Sequence, residues 1–300
     1  MGMLKRFRKE WSLHVLVLPG VIAAFIFSYI PMAGITIAFQ KFIPTKGIFH
    51  SPWVGWDNFS YMFQYPDIQR IMYNTLFIAI MKVIAGLIVP ITISILLNEV
   101  RKEGFKRTVQ TMIYLPHFLS WVLLGGILID LLSPSSGLVN QLLGWFGIQP
   151  IFFLGSNEWF PYTLVISDVW KEFGFSTIVY LAALTSINPA LYEAAQIDGA
   201  TRWKQTWHIT LPGMLPIIVL LATLSIGNIL NAGFEQIFNL YSPIVYESGD
   251  IIDTFVYRLS FEQVQYGLAT AVGLLKSFVA LILIAISYTL AYRFAGYRIF

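Results

Sequence analysis

Long apolar runs separated by short polar stretches dominate the 300-residue chain. A membrane-spanning helix needs about 20 mostly apolar residues in succession. Six segments meet that length, at roughly 15–39, 71–97, 111–132, 161–185, 214–232 and 270–294. The pattern therefore predicts an all-α integral membrane protein with six transmembrane helices. Pro31 falls inside the first segment, and Asp168, Lys171 and Glu172 interrupt the fourth. No linker-like stretch divides the chain, so one domain over 1–300 is expected.

Composition supports this reading. Hydrophobic residues make up 57% of the chain and charged residues 12%, with a mean hydropathy of +0.69. Soluble domains carry about twice that charged fraction. The first apolar run is too long for a signal-peptide core, and no small-residue cleavage site closes it, so it is expected to stay as a span. There is no cysteine, which excludes disulfides and thiolate metal sites. His14, His50, His117 and His208 are scattered without metal-ligand spacing, so no metal is expected.

The placement of the charges says more than their net value of +3. One set of loops and ends holds Lys5, Arg6, Arg8, Lys9, Arg101, Lys102, Lys106, Arg107, Arg202, Lys204, Arg293 and Arg298. The opposite set holds only Lys41, Lys46, Arg70 and Arg258. The positive-inside rule then puts both termini in the cytoplasm. The loops expected outside, GIFHSPWVGWDNFSYMFQYP and SPSSGLVNQLLGWFGIQPIFFLGSNEWFP, are rich in Trp, Phe, Gly and Pro. Interfacial aromatic belts and short re-entrant helices account for such stretches. Docking of an outside partner is a second use for them.

One polar stretch differs in kind: ALYEAAQIDGATRWKQTWHITLPG, between the fourth and fifth segments. Asn188 is placed as an N-cap and Pro189 at the first helical position. Leu191, Ala194 and Ala195 form a small face, and Gly199 suits a left-handed C-cap. A second short helix is expected over about Thr201–His208, with Pro212 and Pro216 framing the start of the fifth span. Residues 188–212 then form a helix–turn–helix against the membrane, with Glu193, Asp198, Arg202 and Lys204 on its polar side. An amphipathic connector anchored by Trp203 and Trp207 explains the polarity but does not require the register. That register is Glu193-Ala194-Ala195, three residues, Gly199, nine residues, Ile209, one residue, Leu211-Pro212.

This register resembles the signature of the permease subunits of binding-protein-dependent ABC importers. The stretches DVWKEFGFSTIVYLAALTSINPALYEAAQIDGA and GFEQIFNLYSPIVYESGDIIDTFVYR are similar to the polysaccharide and oligosaccharide permeases of the LplB-like subgroup. The resemblance runs from about Trp11 to the end. It implies the type I ABC importer permease fold, with residues 188–212 as a coupling loop seated in a cleft of a cytoplasmic ATPase. Glu193, Ala194, Ala195, Asp198, Gly199, Ile209, Leu211 and Pro212 are the coupling residues it implies. It also implies a second homologous permease, two cytoplasmic ATP-binding subunits, an extracytoplasmic solute-binding lipoprotein and a place in the bacterial cytoplasmic membrane. The expected cargo is an oligosaccharide or polysaccharide breakdown product.

The chain lacks the phosphate-cradling pattern GxxxxGK[ST]. No nucleophile–base–orienter set is visible either. The expectation is a non-enzymatic subunit that binds no cofactor, with ATP and Mg held by its partners. Charged groups within spans usually face a cavity or one another. Asp168, Lys171, Glu172 and Phe175 on the fourth segment are therefore candidates for a substrate path, with Trp170 and Phe173 as further ring-stacking candidates. On the fifth, Ser225, Asn228, Asn231 and Glu235 recur at helical spacing, and Lys82 and Lys276 add polar points. Packing contacts between helices are the plainer explanation for any one of them. The intramembrane charges also admit an ion-coupled secondary carrier, although no inverted repeat is visible. A membrane enzyme would need clustered acids, and Asp250 and Asp253, the nearest to such a pair, read as structural caps.

Overall fold

The computed structural model describes residues 11–295, and side chains through residue 289. Lys5, Arg6, Arg8, Lys9 and Arg298, and the side chain of Arg293, lie outside the described residues. Contacts gather into two compact units, Met1–Tyr65 with Val256–Leu275, and Pro66–Phe255 with Lys276–Phe300. The sequence shows no linker at either boundary. Among the described residues, four helices are long and apolar enough to span a membrane, and two sharply bent pairs raise the number to six.

In the first unit, α1 (Trp11–Ala24) continues through a π-helical turn at Phe25–Tyr29 and a 3-10 stretch at Ile30–Phe39. Together they form one apolar run, Trp11–Phe39. Pro31 cannot donate a backbone hydrogen bond, which fits the irregular turns on either side of it. The aromatic stretch that follows is ordered. Gln40 and Trp53 pair in an antiparallel bridge, with Val54 N–H donating to Phe39 O at 2.9 Å. Asn58, on α2 (Asp57–Gln64), donates Nδ2 to Ala38 O and Gln40 O at 2.8 and 3.0 Å. Phe39 packs against Trp53, Trp56 and Phe59 with ring centroids 5.3–5.7 Å away. A Cβ at Gly267 would lie 2.5 Å from Gln40 O, so only glycine fits there.

The second unit is built on α3 (Ile68–Glu99). It is followed by α4 (Glu103–Tyr114), α5 (Trp121–Leu131) and the short α6 (Leu138–Trp145). Next come α7 (Phe160–Thr185), α8 (Pro189–Ile197), α9 (Arg202–Gln205), α10 (Leu211–Gly227) and α11 (Phe234–Leu240). The last helix, α12 (Tyr266–Ala295), begins in the first unit and ends in the second. The pair α3 and α7 makes the most extensive helix contact. Ile78, Ala79, Phe160, Leu164, Ile237, Leu240, Val245 and Ile251 form one buried cluster. Tyr180, Leu184 and Met214 centre a second, packed with Ile91, Ile95 and Ile187. A Cβ at Gly174 on α7 would collide with the carbonyl of Ile113, so glycine lets α4 cross closely.

Two expected spans depart from the sequence pattern. The third expected span, 111–132, is two helices bent by 107°. Pro116 sits in a 3-10 turn at Leu115–Phe118, and Ser120 starts α5 by accepting from Leu123 N–H at 3.3 Å. The fifth expected span, 214–232, ends early at Gly227 and starts early. Its helix is continuous with α9 through a π-helical turn at Thr206–Thr210, so Arg202–Gly227 is one run. Pro212 follows directly on the π-helical turn, where the ladder has already shifted so that Leu211 N–H donates to Thr206 O, and its missing N–H marks no break. The helical register assigned to Ser225, Asn228, Asn231 and Glu235 is therefore corrected: Ser225 is in α10, Asn228 and Asn231 lie in the turn and coil after it, and Glu235 is in α11.

Candidate functional site

The polar loop folds largely as its capping chemistry dictates. Asn188 Oδ1 accepts from Ala190 N–H at 3.0 Å, and Pro189 occupies the first turn of α8. The helix closes at Gly199, φ +71°, where Ala200 N–H donates to Ala195 O at 2.8 Å. A Cβ at Gly199 would meet open space, so the glycine serves the backbone angle. Thr201 caps α9 through Lys204 N–H at 3.4 Å. Two bonds hold the helices together: Tyr192 Oη with Thr210 Oγ1 at 3.0 Å, and Gln205 Nε2 to Ala200 O at 2.9 Å. Arg202 pairs with Glu99 at the end of α3, which ties the loop to the second span.

Glu193, Ala194, Asp198, Gly199 and Pro212 are exposed, while Ala195, Ile209 and Leu211 are half-buried. Ile197 is 87% exposed, an apolar side chain one helical turn from Glu193. Its i+4 spacing from Glu193 is the sequence signal that marks it. The exposed face thus offers an acid at each end and small and apolar groups between.

The candidate substrate path divides in two. Lys82, Asp168, Ser176, Ser225, Asn228 and Asn231 line a recess of about 280 Å³. On its wall Lys82 Nζ donates to Asp168 Oδ1 at 3.1 Å, to Ala232 O at 2.7 Å and to Gln236 Oε1. Gln236 Nε2 in turn donates to Leu164 O at 2.7 Å and to Ser167 Oγ at 2.8 Å. All three ammonium protons are used, so Lys82 holds the recess rather than offering a free donor. Gly233, φ +97°, completes the knot, since its Cβ would stand 2.6 Å from Lys82 Nζ. Lys276 Nζ bonds Asp253 Oδ1 and Oδ2 at 2.6 and 2.8 Å and Asn231 Oδ1 at 3.0 Å. Asp250 instead accepts from Thr254 Oγ1 at 2.7 Å, so the two acids do not pair.

The other candidates lie elsewhere. Lys171 Nζ donates to Glu172 Oε1 and His117 O, both at 2.9 Å, and Glu172 Oε2 lies 2.7 Å from His117 Nδ1. Phe175 stacks on the His117 ring at 4.2 Å. This group braces the bend between α4 and α5 against α7 and does not line the recess. Asp168 pairs with Lys82 on another helix rather than with Lys171. Glu235 is exposed on the first turn of α11, also outside the recess. Gly233 and Gln236 carry no sequence signal, because the sequence does not show that Asn228–Gly233 leaves the helix and folds over Lys82; Ser176 carries one, two helical turns from Asp168 on α7.

A protein-family model described as binding-protein-dependent transport system inner membrane component matches residues 82–297. The chain belongs to this family. Among curated relatives of this permease, the polygalacturonan/rhamnogalacturonan transport system permease protein YteP of Bacillus subtilis (strain 168) is 44% identical, over 94% of this chain and 88% of its own. Protein LplB of the same organism is 41% identical, over 92% and 87%. A chain in the crystal structure of a bacterial ABC transporter involved in the import of the acidic polysaccharide alginate superposes with a TM-score of 0.90. It is 41% identical, and the match covers 97% of this chain and 99% of that one. A chain of the same kind, in complex with alginate pentasaccharide-bound periplasmic protein, gives a TM-score of 0.89. The protein is a membrane permease subunit of an ABC importer and not an enzyme. The ion-coupled carrier gains no support.

Proposed function

We propose that this permease passes oligosaccharides derived from a polysaccharide across the membrane, received from an extracytoplasmic solute-binding protein. It acts as one permease domain beside a second homologous permease, and two cytoplasmic ATP-binding subunits, which hold the ATP and Mg, drive it. The relatives support the cargo class: one is named for polygalacturonan and rhamnogalacturonan transport, and the solved neighbour belongs to a transporter involved in the import of the acidic polysaccharide alginate. The recess fits that class chemically. Its ionic groups are neutralised in place as Lys82–Asp168, with Lys276–Asp253 reached through Asn231. Asn228, Asn231, Ser176 and Ser225 are amides and hydroxyls suited to sugar hydroxyls.

The observation that carries the coupling role is the loop 188–212, two capped helices presenting an exposed Glu193–Ala194–Asp198 face. In this reading it faces the cytoplasm, as do both termini, and α8 enters a groove on the ATPase. Glu193 accepts charge-assisted bonds there, while Ala194 and Ala195 allow close approach. Ile209, Leu211 and Pro212 set the base on which the two helices stand. Glu193→Lys in the intact importer tests this. Uptake of labelled oligosaccharide is expected to fall at least about tenfold, the loss of one charge-assisted bond, and co-purification of the ATPase subunits is expected to weaken. Unchanged uptake and association would refute the coupling role.

A further inference from the structure

An apolar groove of about 290 Å³ lies between the C-terminal end of α3 and the helix that enters α10. Ile91, Ile95 and Leu96 form one wall, and Trp203, Trp207 and Leu211 the other. The two indoles meet edge to face, centroids 5.8 Å apart, and Trp203 is 70% exposed. The coupling face described above does not contribute: neither Glu193 nor Ala194 nor Asp198 lines this groove.

Two observations decide what fills it. The first is depth. Ile91 precedes the end of α3 at Glu99 by eight residues, about 12 Å along the axis. One end of the groove therefore lies within the span and the other at its rim, where Trp side chains favour the headgroup level. A soluble subunit does not reach along that wall, but a hydrocarbon chain does. The second is charge. Arg202 is neutralised by Glu99 at the rim. Lys204, on the same short helix as Trp203, and Arg101 and Lys102, just beyond Glu99, form no ion pair among the described residues. These three cations are thus sequence neighbours of the groove's Trp203 and of the Glu99–Arg202 pair at its rim.

We propose that this groove is a binding site for one anionic phospholipid, with an acyl chain along Ile91–Leu96 under the indoles and its headgroup phosphate at Lys204, Arg101 and Lys102. The lipid wedges the second span against the helix that leads out of the coupling loop, tying the set of that loop to membrane composition. The inference rests on membership of a membrane permease family and not on the identity of the cargo or on where the ATPase docks.

The test uses the assembled importer in nanodiscs of equal phosphatidylglycerol and phosphatidylcholine, delipidated stepwise and read by native mass spectrometry. The wild type is expected to retain phosphatidylglycerol preferentially. Lys204→Glu, a surface change that spares the fold, removes one favourable headgroup contact and adds a repulsive one, so retention should fall about tenfold. Leu96→Trp fills the slot and should lower it similarly. Equal retention of the two lipids would overturn the proposal, as would wild-type retention in both variants. So would loss of the ATPase subunits from Leu96→Trp with phosphatidylglycerol retained, which would assign the groove to a subunit interface.

Discussion

Lys82 shows how one residue organises the recess. Its side chain is largely buried and satisfies Asp168, Gln236 and a backbone carbonyl at once. Removing one partner of such a pair leaves an uncompensated charge, which costs ~3 kcal/mol or more. Lys82→Met should therefore lower the melting temperature of the purified importer, while Lys82→Met with Asp168→Asn should recover part of the loss. Additive losses in the double variant would contradict this account. Gly233→Ala is expected to lower transport as well, since the added methyl meets Lys82 Nζ and alanine strains at φ +97°. Substrate uptake per folded importer measures it. Gly199→Ala in turn strains only the backbone, by about 1–2 kcal/mol, because its Cβ meets nothing.

At the scale of elements, apolar run length located the spans and capping residues located the loop. Asn188, Pro189 and Gly199 stand where their backbone chemistry puts them. What the sequence concealed were changes of direction inside apolar stretches. Hydropathy does not distinguish 111–132 as one helix from two helices at 107°, and only Pro116 and Ser120 mark the bend. Ser120→Ala removes the α5 cap at a cost of about 1 kcal/mol, and faster amide exchange in the first turn of α5 is the expected sign. The recess was half legible for the same reason. Asp168, Ser225, Asn228 and Asn231 meet there, but by a turn after Gly227 rather than along a helix face. Lys171, Glu172 and Phe175 instead brace the bend around His117, a long-range packing choice without a local signal.

For the whole molecule, the central claim is that the loop 188–212 transmits the work of a cytoplasmic ATPase to the spans around the recess. The connection is physical: Arg202 holds Glu99 at the end of α3, and the helix from Arg202 runs unbroken to Gly227 at the recess. In the proposed docking, a push on α8 is carried to the fifth span by this continuous helix, while the exposed Arg202–Glu99 pair adds little. The chain contains no cysteine, so a single introduced thiol reports one position. The most direct measurement is photocrosslinking of Ala194→Cys, labelled with a thiol-reactive benzophenone that inserts into any nearby C–H bond, in the assembled importer, alongside Trp145→Cys labelled in the same way in the segment assigned to the outside. The account predicts a crosslink from residue 194 to the ATP-binding subunit and none from residue 145. Absence of that crosslink from residue 194 in an importer that still transports would contradict it.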